Sequence, residues 1–187
     1  MSSKNTSSLS GWALIGFLAV AAGYGIWSFP GNTAQAGESR AIEETQPLPE
    51  TAEADLEARF EQYAAARLEE DWVAVYDLVD PAQREVVDLA SFLGVYGQGV
   101  LRTHELSCRS IEIDEDTASA EVRAYSVSEL VVERLPDQFR AGFQVPDDPE
   151  ELRRSQEFSM AWVWSAGDWH YQMDNEVVRQ HTKPEVR

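Results

Sequence analysis

Four patterns of apolar and polar residues succeed one another along the chain. Residues 11–29, GWALIGFLAVAAGYGIWSF, are an uncharged apolar run that ends at Pro30-Gly31. About 20 apolar residues cross a bilayer core as a helix, so this run is just long enough. Residues 30–52 then lose all periodicity and carry three prolines, which predicts a flexible tether. From Glu53 a three-to-four spacing begins, and from residue 101 it gives way to alternation.

The helical part reads as three helices. Leu56, Phe60, Tyr63, Ala64 and Leu68 form one stripe. Asp71-Trp72 opens a second helix, with Trp72, Val75, Tyr76 and Val79 on one face. Asp80-Pro81 restarts the chain as N-cap and first helical residue. Val86, Val87, Leu89, Phe92, Leu93 and Tyr96 would be the buried side of a third helix, closed by Gly97 and Gly99.

The alternating part reads as two hairpins. Leu106 and Cys108 alternate with polar neighbours, but Ile111 and Ile113 follow in the opposite phase. Such a slip is the signature of a β-bulge, and bulges bend sheets. Asp114-Glu115-Asp116 is the turn, and Ala118, Ala120, Val122 and Ala124 line the return strand. After an insertion at 136–154, Phe158, Met160, Trp162 and Trp164 alternate. Gly167-Asp168 turns the chain into Trp169, Tyr171 and Met173, and residues 176–187 form a polar tail.

This order is an α+β layout, and it resembles the NTF2-like superfamily (the cone fold shared by SnoaL-type proteins and ketosteroid isomerase). Three stretches carry the likeness: Leu68-Glu-Glu-Asp-Trp72-Val-Ala-Val-Tyr76, Tyr76-Asp-Leu-Val-Asp-Pro-Ala-Gln-Arg84 and Ala161-Trp-Val-Trp-Ser-Ala-Gly-Asp-Trp169. The resemblance covers residues 53–175 and implies three helices packed on a strongly bent antiparallel sheet. With an N-terminal transmembrane helix ahead of it, the arrangement is also similar to VirB8-type secretion proteins. That likeness implies a non-catalytic interaction or scaffolding role in the cell envelope. The alternative is a small-molecule-binding or isomerase/dehydratase-type protein using the cone pocket.

Charge and location refine the picture. The net charge of −18 repels phosphate backbones, so nucleic acid is not an expected partner. Lys4 precedes the apolar run and Glu38 follows it, which predicts a cytoplasmic residue 1–10 segment and an exported domain, with the membrane as partner of the helix. The competing reading is signal cleavage after Ala34-Gln35-Ala36, which leaves a secreted or periplasmic domain. Cys108 is the single cysteine, so no intrachain disulfide is possible.

Candidate chemistry is sparse. No Cys/His cluster at metal spacing, phosphate-cradling glycine loop or nucleophile turn is present, so no metal and no cofactor is expected. Asp77 and His104 are weak candidates for an acid or base, and His170 is more simply a strand residue. In the cone fold Tyr76, Tyr96, Tyr125, Trp162 and Trp164 are candidates to line the pocket. Phe139 and Phe143 lie four apart beside Arg134 and Arg140. On a helix they would share a face and present a lid or a partner-binding patch. A homodimer through the sheet fits the fold, and an envelope protein fits the location.

Overall fold

The computed structural model describes residues 47–181. The apolar run 11–29, the cleavage pattern at Ala34–Ala36 and the chain up to residue 46 lie outside the described residues, as do residues 182–187. Among the described residues no helix is long and apolar enough to cross a membrane.

The first stripe becomes helix α1, Ala52–Leu68, with Leu56, Phe60, Tyr63 and Ala64 buried along it. Leu68, the last residue of the stripe, is 40% exposed. Asp71 caps α2, Trp72–Asp77, by accepting the Ala74 N–H at 3.0 Å. Asp80 caps α3, Pro81–Arg84, through the Ala82 N–H at 3.1 Å.

The single third helix expected over 81–96 is instead broken. Helix α3 stops at Arg84, and Asp88 accepts the Ser91 N–H at 2.7 Å to start α4, Leu89–Phe92. A π-helical turn, Leu93–Gly97, follows it. An Asp side chain competes for backbone N–H groups and so favours a restart over a continuous helix. The break turns Val87 fully inward and leaves Val86 39% exposed.

The strands are β1 (Leu101–Asp114), β2 (Ser119–Leu130), β3 (Arg153–Ser165) and β4 (Asp168–Tyr171). They form one antiparallel sheet in the order β1-β2-β3-β4. The β1/β2 register shifts between Thr103 and Glu105 and again between Cys108 and Ser110. The second shift lies where the alternation of the sequence slips. Bulges increase twist, and this sheet is strongly curled. Its concave face carries Ala120, Val122 and Ala124 in the middle and Trp162, Trp169 and Tyr171 at the β3/β4 side. The small side chains of β2 leave room for Phe60 and Tyr63 of α1 in the same core.

The two edges of the sheet differ. Strand β4 is closed by the chain after α2: Tyr171 N–H donates to the Leu78 carbonyl at 2.8 Å, and Asp80 N–H donates to the Tyr171 carbonyl at 2.9 Å. Strand β1 has no strand on its outer edge among the described residues.

Two further expectations change. The polar tail begins as a helix, α6, Asn175–His181, entered where Asp174 accepts the Glu176 N–H at 2.7 Å. Val177 and Val178 pack on the core, and this is why the segment is ordered as helix. The insertion contains a 3₁₀ turn at Val132–Arg134, helix α5 at Asp137–Arg140 and a 3₁₀ turn at Pro149–Leu152. Helix α5 is only one turn, so Phe139 and Phe143 do not share a helical face. Phe143 follows the helix in a turn, its N–H donating to the Arg140 carbonyl at 3.2 Å.

Candidate functional site

The concave interior is filled by aromatic rings. Trp162, fully buried, meets Tyr63 edge-on at 6.1 Å and Tyr171 at 6.0 Å, and Tyr63 and Tyr171 are 5.1 Å apart. Phe92 contacts Tyr96 at 4.6 Å and Tyr76 at 5.3 Å. Trp169 donates its Nε1–H to the Ala52 carbonyl at 2.8 Å, tying β4 to the start of α1. Burial pushes the phenols of Tyr96 and Tyr171 above their ordinary range, so both stay protonated and cannot serve as bases near neutrality.

The five candidate pocket residues therefore occupy different places. Tyr96 and Trp162 are parts of the packed interior. Tyr76 is half-buried and donates its hydroxyl to the Val87 carbonyl at 2.9 Å, the group that the broken helix leaves over. Tyr125 is on the opposite, convex face, in the phase between buried Ala124 and Ser126, with the Arg109 guanidinium 4.6 Å above its ring. Trp164 packs edge-on against Trp169 at 5.6 Å and borders a surface cleft. That cleft, about 370 Å³, is lined by Asp55, Ala58, Arg59, Gln62, Trp164, Gly167 and Asp168. Arg59 donates Nε–H to Asp168 at 2.8 Å across it.

The candidate acid and base are not brought together. Asp77 is exposed, 3.9 Å from Arg84. His104 sits on β1 with Nε2 2.5 Å from Glu129 Oε2, at the bulge between Thr103 and Glu105. His170 is only 9% exposed on β4 and shares Nε2 with the Ser165 carbonyl at 3.1 Å. A carbonyl only accepts, so Nε2 carries the proton. Burial lowers the ring's affinity for a second proton. Among the described residues no group of three metal-ligating side chains occurs.

A different feature emerges at the end of the domain where α1 finishes and β1 begins. The 3₁₀ residue Arg134 donates to both oxygens of Glu70 at 2.7 Å and to the Gly99 carbonyl at 3.4 Å. Exposed apolar side chains occur in the segments that carry these residues and in the cleft that includes Arg102. Leu68 (40% exposed) and Val73 (48%) flank the α1–α2 turn that holds Glu70. Val95 (37%) belongs to the π-helical turn that brings Gly97 against Trp72. Leu101 (44%) opens β1 opposite Leu130. Val145 (59%) lines a second cleft, about 270 Å³, with Arg102, Leu130, Val131, Val132 and Leu152. With Val86, these are the six large hydrophobic residues that are exposed among the described residues. Phe139 and Phe143, half-buried, are in the insertion that leads to Val145. The alternation and helix stripes of the sequence give no sign of the Arg134–Glu70 pair, because 64 residues separate the two.

No protein-family model matches this chain, and no curated protein matches it. Solved structures similar to it include a SEC-C motif-containing protein from Rhodopseudomonas palustris, at 14% identity and TM-score 0.41, over 65% of this chain and 74% of that one. Another is an LEH-like epoxide hydrolase from M. tuberculosis, at 12% identity and TM-score 0.38, over 68% and 84%. A third, from Exiguobacterium sibiricum, is assigned as a Ca/calmodulin-dependent kinase II association domain, at 12% identity and TM-score 0.40, over 66% and 90%. Likeness at this level carries nothing about activity.

Proposed function

We propose that this chain is a single-pass membrane protein, amino terminus inside, whose exported NTF2-like domain works by binding a protein partner in the cell envelope. The observation that supports the reading is the exposure of the apolar side chains Leu68, Val73, Val95, Leu101 and Val145, of which Leu68 and Val73 flank Glu70 and Val145 lines the cleft that includes Arg102. The interior agrees with it, since Trp162, Tyr63 and Tyr171 pack against one another there. Membrane attachment rests on the uncharged run 11–29 and on Lys4 ahead of it.

The test uses the full-length chain in native membranes with a photo-reactive residue at Val145. One adduct of constant mass is expected, and it should vanish when Leu101→Glu is added. Protease added to intact spheroplasts should remove the domain and spare the membrane segment. A folded protein that yields no adduct, or an adduct indifferent to Leu101→Glu, overturns the binding surface. Protection of the domain from the protease overturns the topology.

A further inference from the structure

We infer that the open edge of β1 is a self-recognition surface, on which a second copy of this chain adds its own β1 antiparallel about a two-fold axis at Cys108. An unpaired strand edge is a template for another strand, and proteins usually shorten it, cover it or charge it. Here the two ends of the sheet are treated unequally. Four-residue β4 is closed by Leu78 and Asp80, whereas fourteen-residue β1 has no strand on its outer edge among the described residues and is guarded only by its charged side chains and two bulges.

The order of side chains along β1 is self-complementary in the frame of its own ladder. Pairing with β2 puts Thr103, Leu106, Cys108, Ile111 and Ile113 opposite Ser128, Ser126, Ala124, Val122 and Ala120, the concave row. Arg102, Glu105, Ser107, Ser110, Glu112 and Asp114 form the convex row. His104 and Arg109 are the extra residues at the two register shifts. If two such strands run antiparallel with Cys108 on the axis, each residue meets one from its own row. Leu106 then meets Ile111, Thr103 meets Ile113, Ser107 meets Ser110, and Arg102 meets Asp114 at both ends of the ladder. Leu106, Ile111 and Ile113 are only partly buried by their own core, so the partner strand completes their cover. Opposite positions in an antiparallel pair are about 4.5–5.5 Å apart at Cα, within the range a disulfide spans, so Cys108 reports the pairing directly.

Two effects oppose the pairing and its report. Glu105 meets Glu112 across the axis, and burial together with the charge of Glu57 raises the Cys108 thiol above its ordinary range. Bulges discourage pairing as well. The Glu105–Glu112 opposition makes the inference testable in two directions. Glu112 already faces Glu121 within its own sheet, so Glu112→Lys removes one repulsion and turns the intermolecular one into attraction.

The experiment is cysteine cross-linking of the full-length protein in its membrane with copper–phenanthroline, which takes two electrons from two thiols and releases two protons. Cys108 is the only thiol. A covalent dimer of two 21.0 kDa chains is expected, absent in Cys108→Ser. The dimer yield at low expression should rise in Glu112→Lys and fall about tenfold in Arg102→Glu, which sets like charges at both ends of the ladder. Thermal unfolding of each variant checks that the fold is kept. Absence of the dimer from folded protein, or a yield that neither charge change moves, overturns the inference; the latter assigns the association to another surface. The partner-binding reading is tested separately, by the mass of the Val145 adduct, which for a second copy of this chain would be that of two chains.

Discussion

Arg134 grips Glu70 with both terminal nitrogens, each 2.7 Å from a different carboxylate oxygen, although 64 residues separate them. Glu70 holds a left-handed backbone conformation, φ 57°, in the turn between α1 and α2. Non-glycine residues adopt that conformation at a cost, so the fork also holds a turn the chain would not choose alone. The guanidinium keeps the Glu70 carboxyl below its ordinary value near 4.5. The unfolded chain therefore takes up a proton first on acidification. The contribution is complete above the ordinary carboxyl range and is lost as pH falls through the lowered value. Glu70→Gln should cost about 1–2 kcal/mol at pH 7 and less at pH 3, by urea unfolding at both pH values.

His170 works at a higher pH. Its ring is buried, its Nε2–H is committed to the Ser165 carbonyl, and Nδ1 has no hydrogen-bond partner among the described residues. Burial depresses its pKa below 6.5. The unfolded histidine thus binds a proton where the folded one does not. Stability is full above the unfolded value and falls as pH drops through 6.5 toward the depressed one. Thermal midpoints between pH 7.5 and 5.5 should slope downward for the parent chain and flatten in His170→Gln.

Trp162 separates packing from hydrogen bonding. Its ring is fully buried between Tyr63 and Tyr171, and its Nε1–H finds no partner among the described residues. An unmade hydrogen bond cannot be lost. Trp162→Phe should therefore cost only the smaller ring volume, about 1–2 kcal/mol, whereas Trp162→Ala should cost about 3–5 kcal/mol. Equal losses in the two variants, measured by denaturant unfolding, would contradict this account of the core.

How much of this was legible in the sequence depends on the range of the forces involved. The phase slip between Cys108 and Ile111 is a local signal, and the bulge is where it points. Asp71 and Asp80 cap the helices they precede, because capping is settled within three residues. Asp88 offered the same signal, but the apolar run from Val86 to Tyr96 masked it as one long amphipathic face. Helix α6 was hidden for the opposite reason: its only apolar residues, Val177 and Val178, gain their value from a core assembled elsewhere. Tyr125 could have been assigned to the convex face by counting from Ala124. The Arg134–Glu70 clamp needed the fold itself, since 64 residues separate its partners.

Tyr76 separates a structural hydroxyl from a pocket hydroxyl. It was a candidate for the pocket, yet its hydroxyl is directed at the backbone, 2.9 Å from the Val87 carbonyl and 3.4 Å from that of Arg84. These carbonyls belong to the stretch where the third helix breaks, and Val87 is fully buried. Buried carbonyls need a donor, and none comes from a continuing helix. Burial also raises the phenol above its ordinary value, which keeps the proton in place for donation. Tyr76→Phe leaves the ring against Phe92 and removes only the donor. The expected loss is about 1–2 kcal/mol, with faster amide exchange at residues 85–91 and no change in adduct formation at Val145. A variant with parental stability and unchanged amide exchange at residues 85–91 would contradict this role for the hydroxyl.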